Sequence, residues 1–125
     1  MSLDVYLTRK KWISYDEGKT LKEENEEVYS ANITHNLGTM AHAVKCGEHN
    51  LYEYLWRPEE IGIKKASELI EPLKEGSLEL KDKPEAYRKY NSSNGWDVYE
   101  DFVPFVEQYL AACEANPDTD INVSR

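Results

Sequence analysis

The sequence predicts an α+β domain: a small antiparallel sheet that includes both terminal strands, with about three to five helices packed on one of its faces. Two alternating patterns and one helical pattern lead to this prediction. Leu3, Val5 and Leu7 alternate with polar residues near the start, and Ile121 and Val123 alternate near the end, as strands with one buried face do. Helical spacing of apolar residues dominates the chain between them.

The first third of the chain is predicted to hold further strand structure. Residues 12–15 could continue into a second strand, and residues 28–31 are typical of a returning strand because they combine Val, Tyr and Ala. The run at 22–27 is almost entirely charged or polar. We therefore predict a flexible polar loop over about 16–27.

Helices are predicted wherever apolar residues recur at helical spacing behind a capping residue or a proline. Pro72 predicts a kink in the third quarter of the chain, and Gly76 predicts an interruption shortly after it. The first helix is expected to end at Gly47. The segment from Leu51 to Trp56 is predicted to be a short helical or irregular piece. The predicted helices begin at Asn32 or Thr34, Pro58, about Lys64, Pro84, and Asp97 or Asp101.

Length and composition restrict the class of protein. The 125 residues are 40% apolar and 31% charged, which predicts one globular domain over 1–125. A net charge of −9 argues against nucleic acid and against an anionic membrane surface as partners. Cys46 and Cys113 are too few for a secreted disulfide framework. With no apolar stretch long enough to span a bilayer, the sequence predicts a cytoplasmic protein.

Acidic residues are concentrated in the last third of the chain. Between Lys89 and Arg125 there is no basic residue. Two interpretations stay open, a solvated helix face that keeps the protein soluble and an acidic surface for a basic partner. The acids in question are Asp97, Glu100, Asp101, Glu107, Glu114, Asp118 and Asp120.

Asn32, His35 and Asn36 gather polar groups at a predicted helix start, where free backbone N–H groups attract anions. Arg57 could bind a phosphate or carboxylate through two N–H groups. These four residues are the candidates for binding a nucleotide or another phosphorylated ligand. The alternatives are plain helix capping and a structural ion pair between Arg57 and Glu60.

Trp56, Arg57 and Trp96 are the candidates for contacting another protein. Trp and Arg dominate the binding energy of many interfaces, and Trp96 follows a loop-forming Asn-Gly pair. The alternative for Trp96 is that the turn places its indole in the core.

His42, Cys46 and His49 form the densest group of potential metal ligands, of the thiolate and imidazole type that zinc prefers. Their spacing matches no standard zinc signature, and Gly47 is expected to break the helix between them. The alternative is a half-buried cysteine beside exposed histidines. A metal-dependent hydrolase is accordingly the third of our functional hypotheses.

No complete catalytic or cofactor motif is present. There is no Gly-x-Ser-x-Gly elbow, and the six glycines form no phosphate-binding loop. The sequence names no catalytic residue and no cofactor, and it favours a protein without enzymatic activity.

Four segments carry a resemblance to a known group of proteins. The chain begins Met-Ser-Leu-Asp-Val-Tyr-Leu and ends Val-Ser-Arg; between them lie Tyr-Ser-Ala-Asn-Ile-Thr-His-Asn-Leu-Gly at 29–38, Leu-Trp-Arg-Pro-Glu-Glu-Ile-Gly-Ile at 55–63 and Asn-Gly-Trp-Asp-Val-Tyr-Glu at 94–100. In these segments the chain resembles small proteins encoded by bacteriophages and prophages, for which no activity is established. The resemblance covers nearly the whole chain except about 10–27.

The resemblance implies a phage-type accessory protein that binds a host protein or a component of host defence. A small-ligand binding protein is the second hypothesis, and the metal-dependent hydrolase is the third. The sequence leaves a homo-oligomer open.

Overall fold

The computed structural model describes residues 2–14, 21–91 and 98–125. This part of the chain forms an α+β domain, as predicted, with helices packed against one antiparallel sheet. Its strands are β1 (Ser2–Ser14), β2 (Leu21–Thr34), β3 (Lys45–Cys46), β4 (His49–Asn50) and β5 (Asp120–Ser124). Its α-helices are α1 (Gly38–Ala43), α2 (Leu51–Trp56), α3 (Ile70–Asp82), α4 (Pro84–Arg88) and α5 (Tyr99–Ala115), and 3₁₀ turns occupy His35–Leu37, Pro58–Ile61 and Ala66–Leu69.

The main sheet has the strand order β2-β1-β5, and both pairings are antiparallel. The predicted neighbourhood of the two terminal strands is therefore confirmed. Leu3, Val5 and Leu7 are fully buried, and their cross-strand partners are Ile33, Ala31 and Tyr29 on one side, with Val123 and Ile121 on the other. Since alternate residues share a face, these apolar side chains form the face that packs against the helices.

A β-bulge marks the end of the three-stranded region. Leu7 pairs with Tyr29 but Thr8 pairs with Glu27, which leaves Val28 as an extra residue in β2. Strand β5 also leaves β1 at this point, after the pair Thr8–Asp120. Beyond it, residues 9–14 of β1 and 21–26 of β2 continue as a two-stranded extension, here called the ribbon.

The predicted polar loop over 16–27 is wrong for 21–27, which belong to β2; residues 15–20 lie outside the described part of the chain. The polar run forms a strand because its charges face opposite charges across the ribbon. Arg9 is paired in register with Glu26 and Lys11 with Glu24, while the Lys10 Nζ lies 3.1 Å from the Glu23 carboxylate.

The first helix is shorter than predicted. Thr34 caps the 3₁₀ turn His35–Leu37 that leads into this helix, because its Oγ1 accepts the Asn36 backbone N–H at 3.3 Å. The helix ends at Ala43 instead of Gly47, since the next residues form the β3–β4 hairpin. Gly47 takes a positive φ of 76° in that hairpin turn, a conformation that glycine adopts without steric cost.

Helix α3 runs unbroken through both residues that predicted a disturbance. Pro72 lies in the first turn, where a backbone N–H has no intrahelical acceptor to lose. Gly76 faces the core, and a Cβ built on it would lie 3.0 Å from Leu51 Cδ1 and 3.2 Å from the Cys46 sulfur. The glycine thus permits close packing of α3 on α2 and β3.

Helix α5 begins differently from the prediction. Val98 is its N-cap residue and makes no side-chain cap bond, so Asp101 is not the cap; Asp97 lies outside the described residues. Pro104 occurs inside the helix on an exposed position. Within the described part of the chain, no helix is long and apolar enough to cross a membrane.

Candidate functional site

Trp56, at the end of α2, is the point where several predicted site residues meet. Its indole Nε1 donates a hydrogen bond to His35 Nδ1 at 2.8 Å. The Tyr52 ring stacks on the indole with centroids 5.1 Å apart, and the His42 ring stacks on Tyr52 with centroids 3.9 Å apart. Gly38 admits the Tyr52 ring, which lies 3.4 Å from where a Cβ would stand. We call His42, Tyr52, Trp56 and His35 the aromatic ladder.

The aromatic ladder holds α1 against α2. Trp56 is only 2% exposed, so its indole lies in the core and leaves little surface for a contact with another protein. The sequence did not reveal the burial of Trp56, since a Trp followed by Arg and Pro can lie either in a core or at a surface that binds another protein. Tyr52, which connects the ladder, was not predicted, because its contact with His42 joins two different helices.

Arg57 has a structural role, which was the alternative left open by the sequence. Its Nη1 donates to the Glu60 carboxylate at 2.7 Å. Hydrogen bonds to Glu60 and to the Tyr52 hydroxyl raise the pKa of Arg57 above its ordinary value. The guanidinium therefore already has an acidic partner on the protein.

The other three ligand-binding candidates do not gather around one ligand. Asn32 lies on β2, where its Nδ2 donates to the Asp4 carboxylate at 2.6 Å. His35 is engaged with Trp56, and the Asn36 backbone N–H bonds to Thr34. These three groups thus have hydrogen bonds within the protein, and the geometry gives no support to a nucleotide-binding function.

Arg125 is a part of this region that the sequence did not predict. Its Nη1 donates to the Trp56 carbonyl at 2.8 Å and also to the Glu59 carboxylate. Partial burial acts to raise the pKa of Glu59, but a backbone N–H and Arg125 lower it overall. A cavity of about 290 Å³ lies beside this pair, lined by Pro58, Glu59, Ile63, Ile121, Asn122, Val123 and Arg125. The sequence held no signal for the pair, because its members are 66 positions apart.

The predicted metal ligands are engaged in other contacts. Cys46 is buried, and burial, with Glu75 and Glu79 nearby, raises its pKa to about 12. Among the residues that the structure describes, no three His, Cys, Asp or Glu side chains are placed to hold a metal ion. The described geometry therefore gives no support to a metal site built on His42, Cys46 and His49.

His49 forms a carboxylate–imidazole pair that the sequence did not predict. Its Nδ1 lies 3.1 Å from Glu53 Oε2, and Glu53 is fixed by a capping box with Asn50 at the start of α2. Such a pair can orient an imidazole for proton transfer. The adjoining cavity of about 270 Å³ is lined by His42, Lys45, Gly47, Glu48, His49, Asn50 and Glu53. None of these residues carries a hydroxyl or thiol that could act as a nucleophile.

The acidic last third of the chain is neutralised in part by bases from elsewhere. Glu100 accepts from Arg88 at 2.8 Å, Glu107 lies 3.5 Å from Lys81, Asp118 lies 3.2 Å from Arg9 and Asp120 lies 2.6 Å from Lys65. Four of the six acids that the structure describes are thus ion-paired. Folding brings opposite charges next to these four acids, which reduces the charge that an acidic surface for a basic partner would present.

The ribbon is the part of the described structure that is least involved in the core. None of its described side chains is buried. Six residues of strand correspond to about 20 Å of extension beyond the bulge. Within the described residues, no strand pairs with the outer edge of β1 beyond Thr8. Backbone N–H and C=O groups along this edge are available to another chain.

Trp96, the remaining interaction candidate, lies outside the described residues, as does its Asn-Gly turn. No match to this chain was found among protein-family models, among curated proteins or among solved structures.

Proposed function

We propose that this chain is a non-enzymatic interaction protein of the small phage-encoded accessory type, and that it binds a protein of the bacterial host or of its defence systems in the cytoplasm. The observation that carries the proposal is the ribbon, a charged two-stranded extension with no buried described side chain. Isolated two-stranded ribbons are marginally stable in water. A partner that pairs with the ribbon would stabilise it.

Two further observations support binding over catalysis. The histidines that the sequence singled out already have protein partners, since His35 accepts from Trp56 and His49 contacts Glu53. Both cysteines are buried, and their pKa values are raised to about 12. The phage origin rests on the four segments quoted above.

The test is a variant that lacks the ribbon. Arg9 and Glu26 face each other across β1 and β2, so residues 10–25 can be replaced by Asn-Gly, which favours a tight hairpin turn. We expect the shortened protein to keep the three-stranded sheet and to melt within a few degrees of the wild type. In a quantitative pull-down from bacterial lysate, the wild type should enrich a defined protein that the shortened variant does not.

The control is the double variant Lys64→Glu with Lys74→Glu, because these exposed lysines lie outside the ribbon. It should enrich the same protein as the wild type. Enrichment of nothing above a tag-only bait, or equal enrichment by the shortened variant, would contradict the proposal.

A further inference from the structure

We infer that the outer edge of β1 along residues 9–14 is a docking edge for an extended, acidic segment of a partner protein. The segment would add to the sheet as a strand next to β1. This inference rests on the proposed function and names the chemistry of the partner that the ribbon binds.

The backbone provides the first argument. Strand β5 pairs with β1 from Asp4 to Thr8 and begins only at Asp120. Strand β1 continues for six further residues with β2 as its described neighbour on the opposite side. Edge strands with free N–H and C=O groups bind extended peptides by strand addition. A partner segment would pair with β1 beyond Thr8, on the side where β5 pairs with residues 4–8.

Charge provides the second argument. Arg9, Lys10 and Lys11 are consecutive at the start of this open edge. On the β5 side of β1, the protein already places one acid against this basic run, because Asp118 lies 3.2 Å from Arg9. An acidic strand that continues this line would bring carboxylates next to Lys10 and Lys11, and opposite charges on neighbouring strands stabilise their pairing.

The same reasoning excludes other occupants. The β2 side of the ribbon carries Glu23, Glu24, Glu26 and Glu27, which repel an acidic segment. A second copy that paired β1 with β1 would place no carboxylate next to Lys10 and Lys11, because residues 9–14 contain no acid. A second copy that paired its β2 with β1 would leave new free edges at both ends and form an open-ended chain. An acidic strand of a different protein that pairs with β1 has none of these disadvantages, so it is the occupant that we infer.

The experiment uses the 125-residue chain and a fluorescein-labelled peptide of about eight residues in which consecutive Glu residues are flanked by Val and Thr. Its carboxylates then lie on both faces of the added strand, as the side chains of Lys10 and Lys11 do on β1. Fluorescence anisotropy at low ionic strength measures binding, and hydrogen exchange locates it. We expect binding that weakens with salt and that protects backbone amides within residues 9–14. A peptide with the same charges but N-methylated at alternate amides should bind at least about tenfold more weakly, because it cannot form the ladder.

Two variants separate the charge effect from loss of the ribbon. Lys10→Glu with Glu23→Lys reverses the ion pair within the ribbon while keeping the net charge, and it should weaken peptide binding about tenfold or more. Lys64→Glu with Lys74→Glu lowers the net charge but leaves the ribbon intact, and it should retain most of the affinity.

Absence of peptide binding, equal binding of the N-methylated peptide, or protection of β2 instead of β1 would each overturn the inference. The proposed function fails separately, if the wild type enriches no bacterial protein. If the wild type enriches a protein and Lys10→Glu with Glu23→Lys enriches it equally, the docking edge is wrong while the interaction function stands.

Discussion

Single hydrogen bonds in the core determine which polar side chains matter for stability. The indole N–H of Trp56 is buried and His35 Nδ1 is its acceptor. In the neutral ring this assigns the proton to Nε2, and a doubly protonated imidazole could not accept the bond. The histidine that looked most suited to a ligand thus serves a buried tryptophan.

Removal of this acceptor should be costly. His35→Ala leaves a buried N–H without a partner, and we expect a loss of about 1–3 kcal/mol in the free energy of unfolding. His42→Ala is the matched control, because His42 stacks at the exposed end of the same aromatic ladder and should cost less than about 1 kcal/mol. Urea denaturation of both variants measures the difference, and equal losses would contradict the role of the hydrogen bond.

Tyr109 and Tyr29 stack with centroids 6.0 Å apart, and their buried hydroxyls have no hydrogen-bond partner among the described residues. Burial raises the pKa of both phenols. Tyr109→Phe removes an unsatisfied polar atom, so we expect unchanged or higher stability. Tyr99→Phe is the comparison, because the Tyr99 hydroxyl donates to the Leu80 carbonyl at 2.6 Å, and it should cost about 1 kcal/mol. Thermal melts that reverse this order would contradict the assignment.

Glu79 makes part of the stability depend on pH. The Tyr87 hydroxyl donates to its carboxylate at 2.9 Å and Lys83 lies 3.1 Å away; these two contacts lower the pKa of Glu79. A lowered pKa in the folded state stabilises the protein above the ordinary carboxyl pKa, and this stabilisation is lost as pH falls through the lowered value. We therefore expect Glu79→Gln to destabilise the protein at neutral pH and to approach the wild type as the pH falls through the lowered pKa of Glu79. A difference that did not change with pH would contradict this.

At the scale of the elements, two helical glycines have opposite consequences. A methyl group on Gly76 would press on the fully buried Leu51 side chain. The strain outweighs the gain in helix propensity of about 1 kcal/mol, and we expect Gly76→Ala to lose about 1 kcal/mol net. At Gly38 the added methyl would meet the Tyr52 ring at 3.4 Å, an ordinary contact, and we expect Gly38→Ala to gain about 0.5 kcal/mol. Denaturant titration of the two single variants measures the change in the free energy of unfolding. Equal changes of the same sign would contradict this distinction.

Elements that bury a regular apolar pattern were predictable, whereas elements held by pairing with distant residues were not. The alternation at Leu3, Val5 and Leu7 predicted β1 because apolar residues at every second position lie on one buried face of a strand. Residues 21–27 of β2 carry no such pattern, and their strand structure depends on opposite charges across the ribbon. The β3–β4 hairpin was missed because it has only two residues in each strand.

At the scale of the whole molecule, the sequence identified residues of the candidate site but not their roles. His35, Trp56 and Arg57 do lie close together around α2, yet their bonds are to each other and to neighbouring groups of the protein. Arg125 joins them from the far end of the described chain. Such partners depend on tertiary contacts that local spacing does not encode. The acidic last third shows the same effect, because its bases come from distant segments.

The pairing of β1 with β5 also affects the order of folding. Asp4 pairs with Ser124, whereas β1 and β2 are joined by a short connection. Local contacts form faster than contacts between residues far apart in the sequence, so the β1–β2 hairpin can assemble before β5 is in place. During synthesis the entire outer edge of β1 therefore stays open until residues 120–124 have left the ribosome. In that interval a partner strand would have access to the backbone groups that β5 later occupies, whereas binding to the folded protein would be restricted to the part of β1 beyond Thr8.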